Sequence, residues 1–206
     1  MRCFSELLMK QQLTLILLFT YSLTAHSDVA DDQFMAGLVD AAKERTTHDV
    51  RYDGAYVAIA YPNGDVPANT GVCTDVVIRA FREVGVDLQK QVHEDMLENF
   101  ASYPSRRIWG LTRTDKNIDH RRVPNLRVYF ERHGQLLPIS SNPADYLAGS
   151  IVTWMLPGNL PHIGIIIDQK SATGVPLVAH NIGEGPKIND ILFDYPITGH
   201  YRYRGN

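Results

Sequence analysis

Cysteine is almost absent from this chain of 206 residues, which contains only Cys3 and Cys73. So few cysteines exclude a disulfide-rich secreted scaffold and the paired cysteines of a structural zinc site. Long apolar runs are scarce as well, since the longest extends over about residues 13–25, shorter than the ~20 residues of a membrane-spanning helix. The 20 basic and 23 acidic residues are nearly balanced and give no sign of nucleic-acid binding.

The N-terminal segment has the pattern of a secretory signal peptide. Two basic residues accompany the apolar run, and Ala25 and Ser27 are small residues at the positions that a signal peptidase reads. We therefore expect removal of residues 1–27, a periplasmic or secreted location, and a single domain over residues 28–206. Because Cys3 lies in the removed segment, Cys73 would be left without a partner.

A lone cysteine in an exported protein is either a small buried apolar residue or a nucleophile. The first role is the more common one, but an oxidising compartment makes a persistent free thiol a liability that Ser or Ala would avoid. Apolar residues at helical spacing after Cys73 place it in the first turn of a helix. Free backbone N–H groups there favour a thiolate, whereas the nearby Asp75 disfavours one.

The predicted elements are helices first and an antiparallel sheet afterwards, the order of an α+β fold. Apolar spacing predicts helices near residues 28–47, 73–84, 93–103 and 125–133, and YVAIAY (56–61) has the composition of a strand. Four later runs rich in β-branched and aromatic residues predict strands: SIVTWML, HIGIIID, PLVAHNI and ITGHYRYR.

Two histidines stand at the ends of these predicted strands. His162 opens HIGIIID and His180 closes PLVAH, and apart from Asp168 the rest of both runs is apolar. A catalytic cysteine needs a histidine base that a third polar group orients. Opposed residues of a hairpin share a face, so the length of the turn decides whether His162 faces His180 or Asn181. Either His180 or Asn181 could orient His162. The alternative is that each histidine is a strand-end residue that only contacts solvent.

These motifs carry a resemblance to known families. AGSIVTWMLPGNLPHIGIIID with PLVAHNIG resembles the second half of the NlpC-type cell-wall cysteine peptidases. YPNGDVP, GVCTDVVIRAFR, HEDM and NIDHRRVPNL make most of the mature chain similar to the YijF-like family of uncharacterised bacterial envelope proteins. The resemblance implies a papain-like, NlpC-like α+β fold with the nucleophile at the N-terminus of a helix packed on an antiparallel β-sheet. It implies that Cys73 is the nucleophile, His162 the base and acid, and His180 the orienting group.

The substrate-binding residues are predicted less directly. Val72 stands where the NlpC pattern has Asp before the nucleophile, so specificity is not inherited. The resemblance implies an upstream tyrosine, for which Tyr61 and Tyr56 are candidates by position. Arg121 and Arg122 of NIDHRRVPNL would either present a guanidinium to a substrate carboxylate or belong to a local ion-pair network.

The predicted function is a cell-envelope cysteine hydrolase that cleaves an amide bond, with peptidoglycan peptides as the expected substrate. An acyltransferase would use the same groups. We expect Tyr61, Arg121, Arg122 and Asn181 to bind substrate, and we expect a monomer without metal, cofactor, nucleic-acid or membrane partner. One alternative is a non-catalytic envelope binding module on the same fold. Another is a metal site formed by the cysteine, the histidines and Asp75 or Asp119.

Overall fold

The computed structural model describes residues 31–205, in which helices occupy the first part and an antiparallel sheet the second. The predicted signal peptide lies outside these residues. Residues 31–34 belong to a separate unit and are helical, and the residues from Met35 onward form one unit that contains the site. No helix within residues 31–205 is long and apolar enough to cross a membrane.

Residues 31–205 contain five α-helices. They are α1 over residues 31–45, α2 Cys73–Glu83, α3 Leu88–Asn99, α4 Ser105–Trp109 and α5 Val123–His133. The helix that bears Cys73 packs against the central strands of the sheet. This arrangement confirms the predicted α+β fold with the cysteine at a helix N-terminus on an antiparallel sheet.

The main sheet has six strands in the order β3-β8-β4-β5-β6-β7, and every neighbouring pair is antiparallel. Its strands are β3 Gln135–Leu136, β4 Ile151–Leu156, β5 Leu160–Lys170, β6 Pro176–His180, β7 Lys187–Asn189 and β8 Ile197–Arg202. A separate parallel pair consists of β1 Arg51–Tyr52 and β2 Thr70–Gly71. The four long predicted runs are therefore strands, and β3 and β7 are additions to the prediction.

Helix α2 begins and ends where its sequence provides local signals. The Asp75 carboxylate accepts the backbone N–H of Val72 at 2.7 Å, which satisfies a donor at the helix start. Gly85, with a φ of 83°, follows the last turn in the left-handed conformation. Phe81 is fully buried against Phe130 of α5, so truncating it to alanine would cost about 3–5 kcal/mol.

The segment YVAIAY is not a strand, contrary to the prediction. Its backbone groups find side-chain partners instead of a ladder: Ile59 N–H donates to Asn117 at 3.1 Å and the Ala60 carbonyl accepts from Gln89 at 2.8 Å. Strand composition favours an extended backbone, but these amide side chains satisfy the groups that a second strand would otherwise bind.

Candidate active site

His162 and His180 are in direct contact within the sheet. Nε2 of His162 lies 3.2 Å from Nδ1 of His180, with the rings at 86° to each other, and the two residues are only 2% and 3% exposed. The register pairs Ile165 with Ala179, so both histidines lie on the same face but are diagonal rather than directly opposed. Gly164 permits this approach, since a Cβ there would meet the His180 Cβ at 3.1 Å.

The hydrogen bond between His180 and Asn189 fixes the tautomers of both histidines. Nε2 of His180 lies 3.1 Å from the Oδ1 oxygen of Asn189 in β7, and an amide oxygen only accepts. His180 therefore donates from Nε2 and accepts at Nδ1, so Nε2 of His162 carries its proton. The consequence is that Nδ1 of His162 is left with a free lone pair, the form a general base requires.

Cys73 is the first residue of α2 and is 5% exposed. Burial, assisted by the charge of Asp75, raises the pKa of its thiol to about 12, although the backbone N–H groups of Ile163, Thr74 and Cys73 act in the opposite direction. Ile163 follows His162 in β5, so the sulfur lies against the strand that carries the histidine. The sequence argument from the helix N-terminus favoured a lowered thiol pKa, and burial outweighs that effect here.

Tyr52 of β1 is the tyrosine that reaches the thiol. Burial of its hydroxyl raises the pKa of Tyr52 to about 12, and the neighbouring charges of Cys73 and Asp75 and a hydrogen bond with the Cys73 thiol add to the effect. The predicted candidates lie elsewhere. Tyr61 packs edge-on against His93, and the hydroxyl of Tyr56 accepts from Asn117. No sequence signal separated Tyr52 from these two, because it lies in a strand of only two residues.

Asp75 and Arg121 form a buried bidentate ion pair. Nε and Nη2 of Arg121 lie 2.8 Å and 2.9 Å from the two carboxylate oxygens, and each side chain is 4% exposed. This corrects the prediction that Arg121 binds a substrate carboxylate, since its guanidinium faces the start of α2. The local ion-pair network, given as the alternative, is the arrangement found.

Arg122 and Asn181 also have protein partners. Arg122 binds Asp119 at 3.0 Å and stacks 4.2 Å from the Trp109 ring. Asn181 is buried, its Oδ1 accepts the backbone N–H of Gly183, and its Nδ2 has no partner among the described residues. Asn181 borders a cavity of about 10 Å³, room for about one water, at the start of α2. The structure thus brings Asn181 to the helix start and not to His162.

A larger opening adjoins the histidine pair on the side of Asn189. It has a volume of about 210 Å³ and is lined by His180, Ile182, Glu184, Gly185, Lys187, Asn189 and Ile191. Asn189 and this opening were missed by sequence reasoning. The only local hint was the alternation Lys187-Ile188-Asn189 after a glycine-rich turn, which suits a short returning strand.

The carboxylates proposed for a metal site are engaged elsewhere. Asp75 binds Arg121, and Asp119 binds Arg122 and accepts the backbone N–H of Asp115 at 2.5 Å. Within residues 31–205, no three cysteine, histidine or acidic side chains cluster in a way that would hold a metal ion. The donor set of the metal alternative is therefore not assembled here.

The fold and the site define an α+β chain with a helix-terminal cysteine whose thiol lies against the strand that carries His162 of a hydrogen-bonded histidine pair. Residues 39–203 match the family described as domain of unknown function (DUF1287), and the chain belongs to that family. It is 54% identical over 166 residues to "Uncharacterized protein YijF" of Escherichia coli (strain K12), covering 81% of this chain and 80% of that protein. The predicted membership of a YijF-like family is confirmed.

Two solved structures are also similar to this chain. NlpC1 and NlpC2 from Trichomonas vaginalis give TM-scores of 0.42 and 0.45, each at 16% identity. The matches cover 81% and 84% of this chain but only 42% and 47% of those proteins, so the chain spans less than half of their length.

Proposed function

We propose that this protein is a cysteine hydrolase that cleaves an amide bond of a cell-envelope substrate, with peptidoglycan peptides as the substrate class. The observation that carries the proposal is the hydrogen-bonded chain from Asn189 through His180 to His162, in the strand whose Ile163 N–H contacts the helix-terminal thiol. The N-terminal sequence pattern supports action in the periplasm or outside the cell.

In the proposed reaction, Cys73 attacks the substrate carbonyl carbon while Nδ1 of His162 takes the thiol proton. The carbonyl electron pair moves to oxygen, and the backbone N–H groups at the start of α2 stabilise the resulting oxyanion. The imidazolium returns the proton to the leaving amine, which leaves a thioester on Cys73. A water molecule, deprotonated by His162, then cleaves the thioester to give the carboxylic acid product and the free thiol.

His180 acts on this sequence as a positioning residue. Its Nδ1 accepts the Nε2 proton of His162, which holds the ring and stabilises the imidazolium that forms after proton transfer. Asn189 keeps His180 in the required tautomer through its amide oxygen. His180 and Asn189 would thus be the third and fourth residues of a hydrogen-bonded catalytic chain that starts with Cys73 and His162.

The resting site holds both reactants in their neutral forms. Burial raises the pKa of Cys73 to about 12 and lowers that of His162 to about 3, with the charge of His180 lowering the latter further. A thiolate and imidazolium pair is therefore disfavoured before substrate arrives. Proton transfer must accompany attack on the carbonyl, as general-base catalysis by a neutral imidazole requires.

The test is digestion of purified peptidoglycan with the wild-type protein and with Cys73→Ser, His162→Gln and His180→Gln variants. Mass spectrometry of the soluble fragments should show new amine and carboxylate ends with the wild type. The rate at which they form should fall more than ~100-fold in the Cys73 and His162 variants and by a smaller factor in the His180 variant. His200→Gln is the matched control, because His200 is also a buried strand histidine but stacks on Tyr146. Cleavage that survives Cys73→Ser would overturn the proposal.

A non-catalytic envelope binding module is the second candidate function. The burial of Cys73 favours it, since a thiol that substrate never reaches behaves as a small apolar core residue. In that case the protein should retain peptidoglycan in a pull-down assay unchanged in Cys73→Ala, with no new fragment ends in any preparation.

A further inference from the structure

A basic cleft lies between α4 and α5, apart from the residues of the proposed active site. Its volume is about 560 Å³, and its lining includes Pro104, Arg106, Arg107, Pro124, Arg127, Val128 and Glu131. Volumes of this size accommodate a small organic ligand or a short chain segment. Among these lining residues, Arg106, Arg107 and Arg127 are cations and Glu131 is the single acidic side chain.

One face of α5 forms a wall of this cleft. Pro124, Arg127, Val128 and Glu131 follow the spacing of a single helical face, while the opposite face of α5 is buried in the core. The facing wall is the segment that leads into α4 and its two exposed arginines. The two walls therefore contribute three arginines to the lining of one opening.

The arginines of the cleft are poorly neutralised by the protein. Neither Arg106 nor Arg107 forms an ion pair among residues 31–205, and Nε of Arg127 is buried without a hydrogen-bond partner there. The nearest carboxylate to Arg127 is Glu131 at 3.9 Å, and that carboxylate already accepts the Tyr201 hydroxyl at 3.0 Å. The charges of Arg106 and Arg107 are therefore available to an anion in the cleft.

This concentration of positive charge contrasts with the whole chain, whose formal net charge is −3. Guanidinium groups bind carboxylate and phosphate oxygens in a bidentate manner, and three of them around one cleft match a ligand with several anionic groups. The apolar walls from Pro104, Pro124 and Val128 suit the carbon backbone of such a ligand. We propose that this cleft is a binding site for a multiply anionic ligand that carries phosphate or carboxylate groups.

The proposal is tested by isothermal titration of the purified protein at low ionic strength with tripolyphosphate and, separately, with tricarballylate. We expect saturable binding of at least one anion, weakened about tenfold by Arg107→Gln and by Arg127→Gln, since each removes a charge-assisted contact. Arg113→Gln is the control, because it deletes the same charge from an exposed arginine outside the cleft.

The two anions distinguish the sources of the ligand. Preference for tripolyphosphate assigns phosphate chemistry to the site, and preference for tricarballylate assigns carboxylate chemistry; both support the proposal. Binding of neither anion would overturn it, as would equal weakening by Arg113→Gln, which would indicate general charge attraction. Arg107 is exposed, so its variant tests the site without threatening the fold.

Discussion

Cys73 in the resting protein should react with iodoacetamide far more slowly than an ordinary cysteine. Burial raises its pKa from 9.0 to about 12, and the thiolate is the reactive form. At pH 8 the thiolate fraction falls from roughly 10% to roughly 0.01% when the pKa changes in this way, so alkylation should be about a thousandfold slower. Cys73 is only 5% exposed, so limited access of the reagent to the sulfur should slow the reaction further.

The assay follows alkylation of the peptide that contains Cys73 by mass spectrometry, between pH 6 and pH 10, in native protein and in urea. A Tyr52→Ala variant should speed the native reaction, because it removes the hydroxyl and ring that contact the thiol. Tyr52→Phe separates the hydroxyl from the ring, and Tyr56→Ala is the control, since its hydroxyl contacts Asn117 instead. The gain in Tyr52→Ala should depend on His162 if the thiol is a nucleophile.

Two results would refute this reasoning. Native Cys73 reacting with a midpoint below the free-cysteine pKa of ~8.5, and losing that reactivity in His162→Ala, would mean that the resting site holds a thiolate and imidazolium pair. A thiol that stays inert in Tyr52→Ala, with no influence of His162, would return Cys73 to a packing role. The first outcome would leave the proposed hydrolase intact, whereas the second would favour the binding module.

The remaining predictions concern the ion pair, the tautomer and acid stability. Arg121→Gln should destabilise the fold by about 3–5 kcal/mol in urea unfolding, because Asp75 is left buried and unpaired, whereas Lys90→Gln, which breaks an exposed pair with Glu94, should cost less than ~1 kcal/mol; equal losses would contradict this. In Asn189→Ala, ¹⁵N NMR should no longer show a single tautomer of His162, and kcat should fall more than KM changes. An unchanged Nδ1 signal of His162 would exclude the proposed role of Asn189 in setting the tautomer. Burial lowers the pKa of His120 and His162 from 6.5 to about 3 and that of His180 to about 4, so the unfolded chain binds more protons below pH 6.5. The free energy of unfolding should therefore be highest above pH 6.5 and fall as the pH drops towards 4, by up to ~1.4 kcal/mol per pH unit for each histidine. Urea unfolding at pH 7 and pH 5 measures this, and equal stability at the two values would contradict it.

The parts of the fold that the sequence predicted are those with local signals. Helix α2 follows from apolar residues at a 3.6-residue spacing, and β4, β5, β6 and β8 follow from runs of β-branched and aromatic residues. YVAIAY shows the limit of composition. Its extended backbone binds Gln89 and Asn117, which are 29 and 58 positions away from their respective partners, and no local pattern indicates such contacts.

The residues of the candidate site also fall into those that the sequence identified and those that it did not. Cys73, His162 and His180 were identifiable because each stands at the end of a predicted element, but only the observed register shows that the two histidines share a face, since the turn length was open. Asn189 and Tyr52 were not, because each lies in a strand of only two or three residues that exists through pairing with a neighbour. The role of Arg121 depends on its contact with Asp75, 46 residues earlier in the chain, which no spacing rule predicts.

The electrostatics of Cys73 combine two effects of the same packing. The backbone N–H groups of Ile163, Thr74 and Cys73 point at the sulfur and favour negative charge there, while exclusion of water disfavours that charge more strongly. Such donors are worth most where water is excluded, because a low-dielectric site strengthens every dipole aimed at a developing charge. Pairing of Asp75 with Arg121 keeps a neighbouring negative charge from dominating the balance. In the proposed hydrolase these donors are in place while the thiol is still neutral, so charge should develop on the sulfur and on the carbonyl oxygen only as a substrate enters.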